Sequence, residues 1–135
     1  MEVKKTSYSN LENKRFIFRE IGFIVALAMV FFAFETKYYQ EEAKEMMDTQ
    51  EVIILDVREQ DEYDSGHIPG AVLLPVGSID EDTATEVIPE KDSTVLVYCR
   101  SGNRSKTASS ALAELGYTNI YEFGGISTWP YETES

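Results

Sequence analysis

The sequence predicts an α/β fold: one domain with a central, mostly parallel sheet and helices on both faces, preceded by an N-terminal hydrophobic helix. Two observations predict the sheet. Short apolar runs at residues 52–55, 71–75, 94–98 and 119–123 alternate with helix-patterned segments, as they do where crossover helices join parallel strands. The run at 52–55 (VIIL) is continuous rather than alternating, the mark of a strand covered on both faces. A third observation predicts the leading helix: residues 21–34 (IGFIVALAMVFFAF) carry no charge.

At 135 residues the chain has room for one domain, and its core needs no disulfide. One cysteine and one histidine leave no intramolecular disulfide and no multi-cysteine or multi-histidine metal site. The formal net charge is -12. Residues 1–37 hold six Lys/Arg against four Asp/Glu, and residues 38–135 hold six against twenty. So acidic a domain argues against a nucleic-acid partner.

The N-terminal segment, residues 1–37, is basic before its apolar core. Counted from Phe16, the apolar stretch to Phe34 has nineteen residues, close to the roughly 20 that span a bilayer. Arg19 and Glu20 then sit at the interface. The expected role is a membrane anchor through residues 16–34. Competing readings are a cleaved signal peptide, for which no A-x-A-like site follows Phe34, and a helix packed on the domain or a partner. Five Lys/Arg precede the uncharged core at 21–34 and only Lys37 follows closely. The positive-inside rule then gives a single-pass protein of the cell membrane with its domain on the extracytoplasmic side; signal cleavage would make it secreted instead.

The domain is expected over residues 38–131. Residues 36–40 read as a linker or short edge strand. Residues 40–47 (QEEAKEMM) are good helix formers with Ala43, Met46 and Met47 on the buried face. Asp48-Thr49-Gln50 breaks them. Residues 51–58 (EVIILDVR) read as a central strand, and 59–64 (EQDEYD) as a short helical turn ended by Gly66. The turn Gly66-His67-Ile68-Pro69-Gly70-Ala71 leads into a strand at 71–75. Residues 78–87 are a helix candidate and 89–93 a turn. A strand at 94–98 follows, then a helix at 103–115 with Ala108, Ala111, Leu112 and Leu115 on one face. Gly116 is its left-handed stop. Residues 119–123 form the last strand, and Gly124-Gly125 opens a short C-terminal helix around Trp129.

The strand at 94–98 ends on Cys99, and ligands of such sheets bind at the C-terminal ends of strands. From Cys99 to Arg104 six residues (CRSGNR) turn the chain from strand to helix, and Gly102 permits the backbone angles required. Successive N–H groups in such a turn form an anion-binding nest, the helix N-terminus adds partial positive charge, and Arg100 and Arg104 add full ones. All favour thiolate over thiol, so the Cys99 pKa is expected below the free value of about 8.5. On this reading Arg104→Ala raises it. The plain alternative is a buried structural cysteine.

These residues carry a family resemblance. Asp56-Val57-Arg58-Glu59 with Glu62-Tyr63, Gly66 to Ala71, the loop Cys99-Arg100-Ser101-Gly102-Asn103-Arg104-Ser105, and Gly124-Gly125 with Trp129 occur in that order. Together they resemble a single-domain rhodanese, a thiosulfate/persulfide sulfurtransferase. The resemblance implies a rhodanese-like fold and covers nearly all of the chain after the hydrophobic stretch. It implies that Cys99 takes sulfur from a small donor (thiosulfate or a persulfide), carries it as a persulfide, and yields it to a thiol or cyanide. It implies no cofactor and no metal. Substrate would be bound by Arg100, Ser101, Gly102, Asn103, Arg104 and Ser105, with Arg58 either a structural ion-pair partner of Asp56 or a further contact. His67 is expected to be a turn residue satisfied by backbone, and Trp129 core or pocket wall. Phosphatases and arsenate reductases of the same fold carry a loop about one residue longer, so the six-residue loop resembles the sulfurtransferase type. A non-catalytic sulfur- or redox-sensing module is the other alternative. One departure is Gln40, which stands where a Ser or Thr commonly caps the first helix, so that end is expected to fray.

Overall fold

The computed structural model describes the backbone over residues 7–135 and the side chains over residues 26–135. The chain divides into two units, the second being Thr36–Ser135. Helix α1 is Ser7–Thr49; then come β1 (Ile53–Asp56), α2 (Gln60–Ser65), β2 (Val72–Leu73), α3 (Glu81–Val87), β3 (Thr94–Cys99), α4 (Asn103–Glu114) and β4 (Asn119–Gly125). The sheet order is β2-β1-β3-β4, and every pairing is parallel. The expected α/β sheet is therefore present.

Side-chain alternation along the strands builds two cores. Leu55, Val57, Val95, Val97 and Cys99 pack on one face with Ala84, Ile88, Ala108 and Leu112. Ile54, Leu96 and Tyr98 pack on the other with Ala43, Ile68, Phe123 and Trp129. Successive residues of a strand point to opposite faces, so β1 and β3 have to be apolar throughout. Cys99 lies on the α4 face, at the carboxyl end of β3.

Four sequence expectations need correcting. Residues 36–40 are neither linker nor strand but the continuation of α1; no Gly or Pro stands between Gly22 and Gly66, so no breaker stops the helix there. Gln40 consequently caps nothing. It is 2% exposed, and its Nε2 donates to Gly125 O at 3.0 Å and Thr128 Oγ1 at 2.8 Å. The segment after Gly125 is only a 3-10 turn, Ile126–Thr128, because Pro130 keeps Trp129 extended. Strand β2 is two residues long, cut short by Pro75.

Among the described residues no helix is long and apolar enough to cross a membrane. Part of the stretch at 16–34 falls on residues whose side chains lie outside the described set. Within that set Leu27, Met29, Val30, Phe31 and Phe34 are exposed on α1.

Candidate active site

The site is built where β3 hands over to α4. Cys99 closes the strand, and Gly102 turns the chain at φ +107°, a left-handed conformation that side chains other than glycine rarely adopt. The turn brings Gly102 N within 3.0 Å of Cys99 Sγ. Ser105, fully buried on the first turn of α4, stands with its Oγ 3.5 Å from the same sulfur.

β4 supports the loop from below. Cys99 pairs with Gly125, and Ser127 N donates to Arg100 O at 3.1 Å. A Cβ on Gly125 would lie 2.1 Å from Arg100 O and 2.6 Å from Ser101 N. Only a glycine lets the strand pass this close. Gln40 fixes the carbonyl of that same Gly125 from the opposite side chain layer.

Burial pushes the Cys99 thiol up, but hydrogen bonds from Ser105, Gly102 and Ser101 outweigh it, and the net shift is downward. A thiolate held by several N–H donors is the expected result of a nest at a helix start. Arg104 interacts electrostatically with Cys99 but does not hydrogen-bond its sulfur. Arg104 turns to Glu62, with Nη1–Oε1 at 2.6 Å and Nη2–Oε2 at 2.9 Å. That bidentate pairing holds the Glu62 carboxyl down at about 2. Arg100, Ser101 and Asn103 are exposed along the rim.

Arg58 is not among the groups gathered at the sulfur by any hydrogen bond. Its Nε and Nη2 donate to Asp56 at 2.7–3.1 Å, and Nη2 also reaches Gly66 O at 2.6 Å. Tyr98 joins this buried network, donating to Asp56 Oδ2 at 2.7 Å and accepting from Ile68 N at 3.0 Å. Of the two roles the sequence left open for Arg58, the geometry gives it the ion pair. His67 accepts no free place either: its Nδ1 lies 2.9 Å from Tyr63 O and its ring stacks on Tyr63. Trp129 is buried in the second core.

Two residues at the site escaped the sequence reading. Gln40 reads in sequence as a cap position that lacks its Ser or Thr. Glu122 reads as one more strand residue, yet its Oε1 lies 2.6 Å from Ser105 Oγ and accepts from Gly124 N at 2.9 Å. The available signal was a lone carboxylate inside an otherwise apolar strand, two residues before Gly124.

With this geometry established, comparison with known proteins is direct. Residues 39–131 match the family model of the rhodanese-like domain. The chain is 40% identical over 72 residues to the thiosulfate sulfurtransferase PspE of Escherichia coli strain K12, covering 53% of this chain and 68% of that one. It is 35% identical over 89 residues to the thiosulfate sulfurtransferase GlpE of Coxiella burnetii, covering 65% and 80%. Among solved structures, a rhodanese with anions from E. coli superposes with a TM-score of 0.59 at 29% identity, over 63% of this chain and 99% of that one. The BH2092 protein of Bacillus halodurans gives 0.64 at 28% identity, over 71% and 74%. A parallel sheet ending in a single cysteine, a loop of inward N–H groups and a match across the whole sheet lead to one conclusion: this chain belongs to the rhodanese-like domain family.

Proposed function

We propose that the chain is a sulfurtransferase in which Cys99 carries a sulfane sulfur between a small donor, such as thiosulfate or a persulfide, and a thiol or cyanide acceptor. The observation that carries this reading is the 3.0 Å approach of Gly102 N to Cys99 Sγ inside a loop of N–H donors. In the first step the Cys99 thiolate attacks the outer sulfur of thiosulfate. A bond forms between the two sulfurs, the donor's S–S bond breaks, and its electron pair leaves with sulfite. The negative charge now rests on the terminal sulfur of the Cys99 persulfide, which the N–H groups of Ser101, Gly102 and Ser105 flank at the loop. In the second step the acceptor attacks that sulfur and the Cys99 thiolate departs. This is two-step covalent catalysis, and one cysteine suffices.

Mass spectrometry after incubation with thiosulfate tests it. The expected result is a gain of a single sulfur atom that Cys99→Ser abolishes. No gain with either thiosulfate or a small persulfide donor overturns the reading. Phosphoester hydrolysis without sulfur loading would favour the phosphatase alternative instead.

We further propose that residues 16–34 tether the domain to the cell membrane on its extracytoplasmic side. Support comes from the uncharged run at 21–34 and the excess of Lys/Arg before it. The exposed Leu27, Met29, Val30 and Phe31 add to it. Fractionation of expressing cells should find the intact chain with membranes, and protease added to intact cells should digest its C-terminal domain. Release of a shortened chain into the medium would favour the cleaved signal, and protection of the domain would overturn the orientation.

A further inference from the structure

Beneath the Cys99 loop lies a short chain of polar atoms that ends in a carboxylate. Cys99 Sγ is 3.5 Å from Ser105 Oγ, and Ser105 Oγ is 2.6 Å from Glu122 Oε1. Ser105 has one hydroxyl proton and several acceptors around it: Glu122 Oε1, Gly102 O at 3.0 Å, Gly124 O at 3.4 Å and the sulfur itself. A hydroxyl bonds shortest and most strongly to an ionised acceptor. Both the distance and the charge assign the proton to Glu122.

We propose that Glu122 is a positioning residue for sulfur transfer: it takes the Ser105 hydroxyl proton, so that Ser105 turns a lone pair rather than a proton towards Cys99 Sγ. The proposal rests on the sulfurtransferase reading for its consequence, though not for its geometry. A lone pair facing Sγ suits a thiol, which can donate to it. It also suits the inner sulfur of a persulfide, which carries no formal charge. It does not suit a thiolate. Negative charge is therefore disfavoured on Sγ and better placed one sulfur further out, towards the loop N–H groups. Glu122 biases Cys99 towards its sulfur-loaded form, with the total charge of the site unchanged by loading.

Two anions cannot approach closely without cost, so through-space repulsion from Glu122 acts on the thiolate as well. The charged groups facing the site on the other side are Arg104 of α4 and its partner Glu62 of α2. Repulsion and hydroxyl orientation are separable because only the second passes through Ser105.

The experiment is a double-mutant cycle on the intact chain, read by the pH dependence of Cys99 alkylation with the neutral reagent iodoacetamide. In the wild-type chain the Ser105 proton is committed to Glu122, so Ser105→Ala should change the alkylation rate below the Cys99 pKa by less than about twofold. In Glu122→Met the hydroxyl is released to turn to Sγ. There Ser105→Ala should slow alkylation about tenfold, the value of one hydrogen bond to a charged group. Glu122→Gln, which keeps an acceptor beside Gly124 N, should fall between the two and guards against misfolding of Glu122→Met. An equal effect of Ser105→Ala in all three backgrounds overturns the proposal. These readings need no sulfur donor, so they stand whether or not the protein transfers sulfur. A second measurement addresses the consequence: the sulfite concentration that half-discharges the Cys99 persulfide should be lower in Glu122→Gln than in wild type, and an equal or higher value overturns the bias towards the loaded form.

Discussion

Two arginine–carboxylate pairs flank the rhodanese-like site, and they differ in almost every physical respect. Asp56–Arg58 is buried, with side chains 0% and 5% exposed, and is locked further by Tyr98 and Gly66. Glu62–Arg104 is 25% and 32% exposed and stands between α2 and the start of α4. The first is scaffold. Removing either member strands a charge where water cannot reach it. The second is a brace that positions the end of the catalytic loop while remaining hydrated. Both pairs also share a lesson. Each turns towards a carboxylate an arginine that the sequence places near the substrate, so counting cations near a cysteine overstates the positive charge that reaches it.

The difference can be broken open by substitution. Asp56→Ala should have the largest effect, about 3–5 kcal/mol of unfolding free energy, since Arg58 and the Tyr98 hydroxyl both lose their buried partner. Urea unfolding checks this, and a loss below about 1 kcal/mol would make the buried pair no different from the hydrated one. Tyr98→Phe comes next, at about 1–3 kcal/mol, because it leaves Ile68 N without its partner in the core and leaves Asp56 Oδ2 with Arg58 alone. An unchanged unfolding midpoint would show that Arg58 alone satisfies the carboxylate.

Glu62→Gln should cost least, at most about 1 kcal/mol, and its cost has a pH signature. The Glu62 carboxyl is lowered in the folded chain to about 2 by Arg104, from an unfolded value of about 4.3. A depressed folded pKa stabilises above the unfolded value, and that stabilisation is lost as the pH falls through the folded one. The difference between wild type and Glu62→Gln should thus be constant above about pH 5 and disappear towards pH 2. A difference that grows on acidification would contradict the ion pair.

Much of this was legible in the chain itself. The strands read at residues 51–58 and 94–98, the helix after the loop, and the loop's turn at Gly102 all follow from local rules of apolar patterning and glycine geometry, and they fall on β1, β3 and α4. The nucleophile candidate Cys99 follows from its place at a strand end. What was not legible depends on contacts distant in sequence. Gln40 bonds to Gly125 across 85 residues, Arg104 to Glu62 across 42, and Ser105 to Glu122 across 17. Taken locally, Gln40 stands at a cap position and Arg104 beside the substrate, because the partner of each is brought only by tertiary structure. The uninterrupted α1 is a different kind of miss: no breaker separated residues 36–40 from the helix formers that follow, and the absence of one was the signal.

Backbone N–H groups of the loop do more than the arginines to make Cys99 a thiolate. The most direct test is the Cys99 pKa in the doubly substituted chain Arg100→Ala/Arg104→Ala, taken from the pH dependence of iodoacetamide alkylation. The account predicts a value that stays well below the ordinary thiol value of about 8.5, close to that of the wild-type chain. A return to about 8.5 or above would contradict it and give the charge at the sulfur back to the arginines.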